Sequence, residues 1–137
     1  CTHVTIHVFS NTGTAAMMIP FATDNENTNG ERRQQMVAPF PGRLLKVWFR
    51  SKNAQSGNVT VKLFKAGNGV EDFGAGGTEV EAITVSCPDA NTAYAFTLSG
   101  SSPQYSAGEI VGVQMNPAAN GADYNMTCIW EYDDTGV

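Results

Sequence analysis

His3 and His7 are the only imidazoles in the chain, so a Ser-His-Asp or Cys-His nucleophilic centre would have to use one of them. In a helix their spacing would suit a metal ion. On a strand they share a face but stand about 13 Å apart, too far for one ion. No GxSxG elbow accompanies them. The stretch Asn25-x-Asn27-x-Asn29-Gly30 echoes the first half of a calcium loop, but Asn25 and Met36 occupy the positions that need Asp and Glu. That leaves Asp24 and Glu26 as weak surface oxygen donors at most. The pairs Glu71-Asp72 and Asp133-Asp134 are chain neighbours, which in an extended chain point to opposite sides and read as solvated surface. The expectation is a chain with no catalytic residue, no metal and no cofactor.

The three cysteines have no CxxC spacing, which argues against zinc. Cys87 and Cys128 could close a long loop as a disulfide, adding about 3–4 kcal/mol, or stay as two buried thiols. Cys1 opens the chain and reads either as the acylated end of a surface lipoprotein or as a point inside a longer polypeptide. Asn58-Val-Thr60 and Asn125-Met-Thr127 are glycosylation triplets that matter only in a eukaryotic secretory setting.

Charge is the most informative pattern. All 8 cations fall between Arg32 and Lys65, and all 13 acids lie outside that window. The net charge of −5 and the small number of cations speak against a nucleic-acid partner. If Leu45, Val47 and Phe49 face the core, then Lys46, Trp48 and Arg50 face outward, with Lys62 and Phe64 beside them on the next strand. Aromatics flanked by cations mark a contact face, and the acidic remainder of the same chain supplies its complement. Copies of the chain are therefore the expected partner, ahead of a sugar stacked on Trp48 or an anionic polymer. The bland alternative is that Trp48 and Phe64 are covered by another strand.

The elements that must position these residues are strands. Apolar residues alternate at period two almost everywhere, and no helical stripe is evident. Val4, Ile6 and Val8 share one face of a first strand. Segments 43–51 and 58–65 alternate likewise, and the polar loop Lys52–Gly57 reads as the turn of a hairpin between them. Further strands are expected at 17–21, 34–38, 80–86, 92–98, 109–115 and 123–132, separated by Gly, Pro, Asn and Ser turns. About eight or nine short strands point to an all-β, two-sheet antiparallel β-sandwich of jelly-roll type, with an immunoglobulin-type sandwich, whose Cys…Trp…Cys order is missing, as the runner-up. The 137 residues suit one domain, 1–137, whole or cut from a longer chain. The apolar run from Ala15 to Ala22 is far below the ~20 residues of a membrane helix.

Four segments carry a family likeness: Val37-Ala-Pro-Phe-Pro-Gly-Arg-Leu-Leu-Lys-Val-Trp-Phe-Arg-Ser51, Asn58–Lys65, Tyr105-Ser-Ala-Gly-Glu-Ile-Val-Gly-Val-Gln-Met-Asn-Pro117 and Asn125-Met-Thr-Cys-Ile-Trp-Glu-Tyr-Asp133. Together they resemble a β-sandwich domain of structural proteins from tailed bacteriophages, marine and cyanobacterial phages above all. That family's pattern reads V-A-P-x-x-G-x-L-x-K-V, F-S-A-G-D-x-I-G-V-x-x-x-P and N-x-T-x-x-W-E-Y-D. The likeness spans roughly residues 34 to 133, with mild departures at Tyr105 and Glu109. It implies a non-enzymatic virion surface protein: capsid decoration, head fibre or tail appendage. Such domains assemble as trimers or larger arrays with other virion proteins. The alternative is a glycan- or receptor-binding module, extracellular or at a cell surface, with a host glycan as ligand.

Overall fold

The nine expected strands all form. The computed structural model describes residues 1–133; Asp134 of the acidic pair lies outside them. The strands are β1 (Thr2–Asn11), β2 (Met17–Met18), β3 (Met36–Val37), β4 (Gly42–Ser51), β5 (Asn58–Ala66), β6 (Thr78–Ser86), β7 (Tyr94–Thr97), β8 (Ile110–Asn116) and β9 (Ala122–Tyr132). A short 3-10 turn, Arg32–Gln34, precedes β3, and a single helical turn, α1 (Phe73–Gly76), precedes β6. Asp72 caps α1 through the Ala75 N–H.

The first sheet has the order β1-β9-β4-β7, and the second β2-β8-β5-β6, with β3 also on β8. All pairs are antiparallel. Taking β2 and β3 as one interrupted strand leaves eight, and every connection except β5–β6 then crosses from one sheet to the other. This is the jelly-roll arrangement, an all-β sandwich. The inner faces meet in one core that includes Val47, Phe49, Val61, Leu63, Val113, Met126 and Trp130.

The expected hairpin between 43–51 and 58–65 is not there. β4 is flanked by β9 and β7, while β5 pairs with β6 and β8. The loop Lys52–Gly57 instead carries the chain across the core edge. It is anchored by Gln55, whose buried Oε1 accepts from the Ala118 and Ala119 N–H groups of another crossing loop. The true hairpin is β5–β6. Leu45 is not in the core either. A bulge between Leu44 and Lys46 adds one residue, so Leu44 turns inward and the alternation resumes at Val47.

In β1 the three β-branched residues do share a face, and it is the outer one. His3, Thr5, His7 and Phe9 point inward, while Val4, Ile6 and Val8 are 56, 66 and 54% exposed. The inward polar groups are held by a chain of hydrogen bonds. Trp130 Nε1–H donates to Thr5 Oγ1 at 2.8 Å, Thr5 Oγ1 lies 2.8 Å from His7 Nε2, and His7 Nδ1 lies 2.6 Å from Pro20 O. A carbonyl only accepts, so Nδ1 carries the proton and Nε2 accepts from the threonine hydroxyl.

A smaller apolar cluster of Met18, Ala66 and Phe73, with Phe64 against it, caps the outer side of β5 and β8. Gly112 makes room for it: a Cβ there would lie 2.5 Å from the Phe73 ring and 2.9 Å from Met18 Cε. Residues 99–104 are tied to both sheets. Glu81 of β6 accepts from Ser99 N, Gly100 N and Gln104 Nε2, while Arg43 of β4 donates to Gly100 O. Partial burial would raise the Glu81 carboxyl, but these hydrogen bonds from Ser99, Gln104 and Gly100 outweigh it and hold it below the usual carboxylate value.

Candidate interaction face

The registers of β1, β9, β4 and β7 lay the outer face of the first sheet out in rows. Val4, Ile129, Lys46 and Thr97 form one, and Ile6, Thr127, Trp48 and Ala95 the next. Val8, Asn125 and Arg50 form the third. Trp48 is 40% exposed, so it is not a core residue. The Lys46 ammonium lies over its ring, 5.4 Å from the centroid. The result is an apolar band: Val4, Ile6 and Val8 along β1, Ile129 beside them on β9, and Trp48 beyond Thr127 on β4, between Lys46 and Arg50. Scattered single apolar residues need no explanation, but a set this size with a charged border makes this face the candidate interaction surface.

The five residues expected to form one contact face are divided between two. Lys46, Trp48 and Arg50 stand on the first sheet. Lys62 and Phe64 stand on the outer side of the second, because the crossing at Lys52–Gly57 separates their strands. There Lys62 pairs with Glu79 at 2.8 Å, and Phe64 is half-buried against Phe73 with ring centroids 6.2 Å apart. For Phe64 the bland alternative, cover by the same chain, holds in good part. The sequence reading did not place Val4, Ile6 and Val8 on this outer face, since an alternating β-branched run reads equally well as the inward side.

Two hollows border this face. One of about 240 Å³ is lined by Val8, Arg50, Lys52, Asn91, Asp123 and Asn125, among others. A larger open one, about 730 Å³, lies at the Asn11 end of β1 and brings Asp24, Glu26 and Asp123 to its walls, with Ser10 donating to Asp123. Among the described residues, no three His, Cys, Asp or Glu side chains gather closely enough to hold a metal ion.

Both histidines belong to the inner side of β1. His3 stacks with Trp130 and tilts against Tyr132, and burial lowers both imidazole pKa values, against the opposing Pro20 hydrogen bond in the case of His7. Cys87 and Cys128 are not joined as a disulfide. The Cys87 thiol turns back to Val85 O, and Cys128 sits on the inner face of β9 beside Thr5. Burial pushes the Cys87 thiol up to about 11 and the Cys128 thiol to about 12, so neither supplies a thiolate at neutral pH.

No family model matches the chain, and no curated protein matches it. Remote likenesses occur among solved structures. The globular domain of zebrafish complement 1qA protein is 11% identical, covers 95% of this chain and 98% of its own, and gives a TM-score of 0.46. Infectious bursal disease virus, Gx strain, is 10% identical over 98% of this chain and 33% of its own, with a TM-score of 0.46. The carbohydrate-binding module CBM36, solved with calcium and xylotriose, is 14% identical over 97% and 99%, with a TM-score of 0.43.

Proposed function

We propose that this chain is a non-enzymatic structural module on the exterior of a bacteriophage virion, as capsid decoration, head fibre or tail appendage, built into its array by repeated copy-to-copy contacts. The observation that carries the reading is the apolar band of Val4, Ile6, Val8 and Trp48 on the outer face of the first sheet. Leaving three β-branched residues and an indole in water forgoes on the order of 1 kcal/mol or more per side chain, which a docked surface would recover. The family likeness of residues 34 to 133 supplies the virion setting. The acidic rim beside Ser10 and the cations of β4 let unlike ends of two copies attract.

A second reading has a specific observation behind it. The hollow beside Arg50, Asn91 and Asn125 sets amides and a guanidinium near an exposed indole, which is how a glycan- or receptor-binding face is furnished. Lys46 lies over the Trp48 ring and would have to swing away for a sugar to stack.

Trp48→Ala separates the two. Under the assembly reading, size-exclusion with light scattering shows a folded chain of lower oligomeric state. Under the second reading the oligomeric state is unchanged and retention on host polysaccharide is lost. A wild-type chain that is monomeric and binds polysaccharide overturns the first reading.

A further inference from the structure

An edge strand exposes a row of unpaired N–H and C=O groups, and folds blunt such edges by brevity, charge, proline or bulges. Three of the edges here are treated in that way. β7 has 4 residues. The edge beyond β8 is split into β2 and β3, of 2 residues each. β6 carries Glu79 and Glu81 and meets β5 across a register shift at Leu63/Phe64. β1 is the exception: 10 residues without Lys, Arg, Asp, Glu or Pro, in unbroken register with β9 from Thr2 to Asn11.

The phase of the free edge can be read from the strand's start. Tyr132 N–H donates to Cys1 O at 2.9 Å, and the Cys1 amine donates to Tyr132 O at 3.4 Å, so this is a bonded pair. By alternation the odd-numbered residues of β1 bond to β9. The even-numbered ones, Thr2, Val4, Ile6, Val8 and Ser10, aim both backbone groups at the open edge. Three of them, Val4, Ile6 and Val8, carry the exposed apolar side chains.

We infer that this edge pairs antiparallel with β1 of a second copy about a two-fold axis through Ile6, merging two four-stranded sheets into one of eight. The inference rests on the reading of the chain as a self-assembling module and names the seam. Only an even-to-even register satisfies the free backbone groups. Centring it on Ile6 sets Val4 opposite the partner's Val8 and Ile6 opposite the partner's Ile6. A shift of two residues either way leaves Val8 against Thr2 or Val4 against Ser10. Charge selects the antiparallel direction. The acidic hollow of Asp24, Glu26 and Asp123 adjoins the Ser10 end, and antiparallel pairing holds the two copies of it roughly 26 Å apart along the seam. A parallel seam would set them side by side. No charged side chain on β1 meets its like.

The test uses the full chain as wild type, Ile6→Lys, and Ile6→Cys combined with Cys1→Ser. Wild type is expected to scatter as an oligomer. Ile6→Lys puts two ammonium groups opposite each other at the axis, weakening association at least about tenfold with an unchanged unfolding midpoint. Ile6→Cys should cross-link on mild oxidation, since bonded pairs have Cα atoms about 5.5 Å apart, while Val4→Cys in the same background should not. An oligomer that Ile6→Lys leaves intact, or an Ile6→Cys chain that fails to cross-link, overturns the seam and leaves the assembly reading standing. A wild-type chain that stays monomeric overturns both.

Discussion

Replacing Thr5 by valine tests whether the inner side of β1 is held by its hydrogen-bond chain and not by apolar packing. The side chain keeps its shape and loses one hydroxyl, which serves two buried partners: it accepts from Trp130 Nε1–H and donates to His7 Nε2, at 2.8 Å each. Trp130 and His7 are almost wholly buried, and the substitution removes the partner of Trp130 Nε1–H and of His7 Nε2, while His7 Nδ1 keeps its bond to Pro20 O. Each orphaned group costs about 1–3 kcal/mol. Thr5 itself is half-buried, so some water relief is expected, and the two together should destabilise by about 3 kcal/mol. For a chain of this size that corresponds to a melting temperature lower by roughly 10 °C. The assay is equilibrium urea unfolding followed by tryptophan fluorescence, with Thr60→Val as control. Thr60 shares a hydroxyl contact with Thr84 on the exposed side of β5 and should cost no more than about 0.5 kcal/mol. A loss at Thr5 no larger than at Thr60 would refute the reasoning.

Two further outcomes follow from buried titratable groups. Burial lowers both His3 and His7 from the ordinary 6.5, so the unfolded chain takes up protons at a pH where the folded one does not. The stability they contribute is complete above about pH 6.5 and is lost as the pH falls from there toward the folded values. The urea midpoint should therefore drop between about pH 7 and pH 5, less so in His7→Gln, and a midpoint flat across that range would contradict the burial argument. The raised thiols of Cys87 and Cys128 should resist alkylation at neutral pH while the chain is folded and react once it is unfolded. Mass spectrometry after iodoacetamide treatment reads this directly, and native labelling at either position would count against it.

The strands were legible because Val47, Phe49, Val59, Val61 and Leu63 alternate with polar residues, and an antiparallel sandwich requires that pattern. Their partners were harder to read. Lys52–Gly57 has the composition of a hairpin loop, yet turn chemistry does not say whether a strand stays in its sheet or crosses to the other, and here two sheets closing on one core decide. A one-residue bulge moved Leu45 out of the core, and bulges leave no periodic mark. Lys46, Trp48 and Arg50 were singled out for their charge and aromatic pairing, and they do lie together on the outer side of β4. Val4, Ile6 and Val8 were missed because the groups that turn β1 around, Trp130 and Pro20, are contacts made by folding. Thr5 and Trp130 are 125 positions apart, and no local window contains both.

The two sides of β1 answer to different demands. The side chains of His3, Thr5, His7 and Phe9 are turned toward the interior, while those of Val4, Ile6 and Val8 face away from it. Substitutions at Val4, Ile6 and Val8 can thus remake the outer face of the first sheet without removing a buried contact of the body that displays it. A lineage could change neighbours by drifting at three exposed sites while every intermediate still folds.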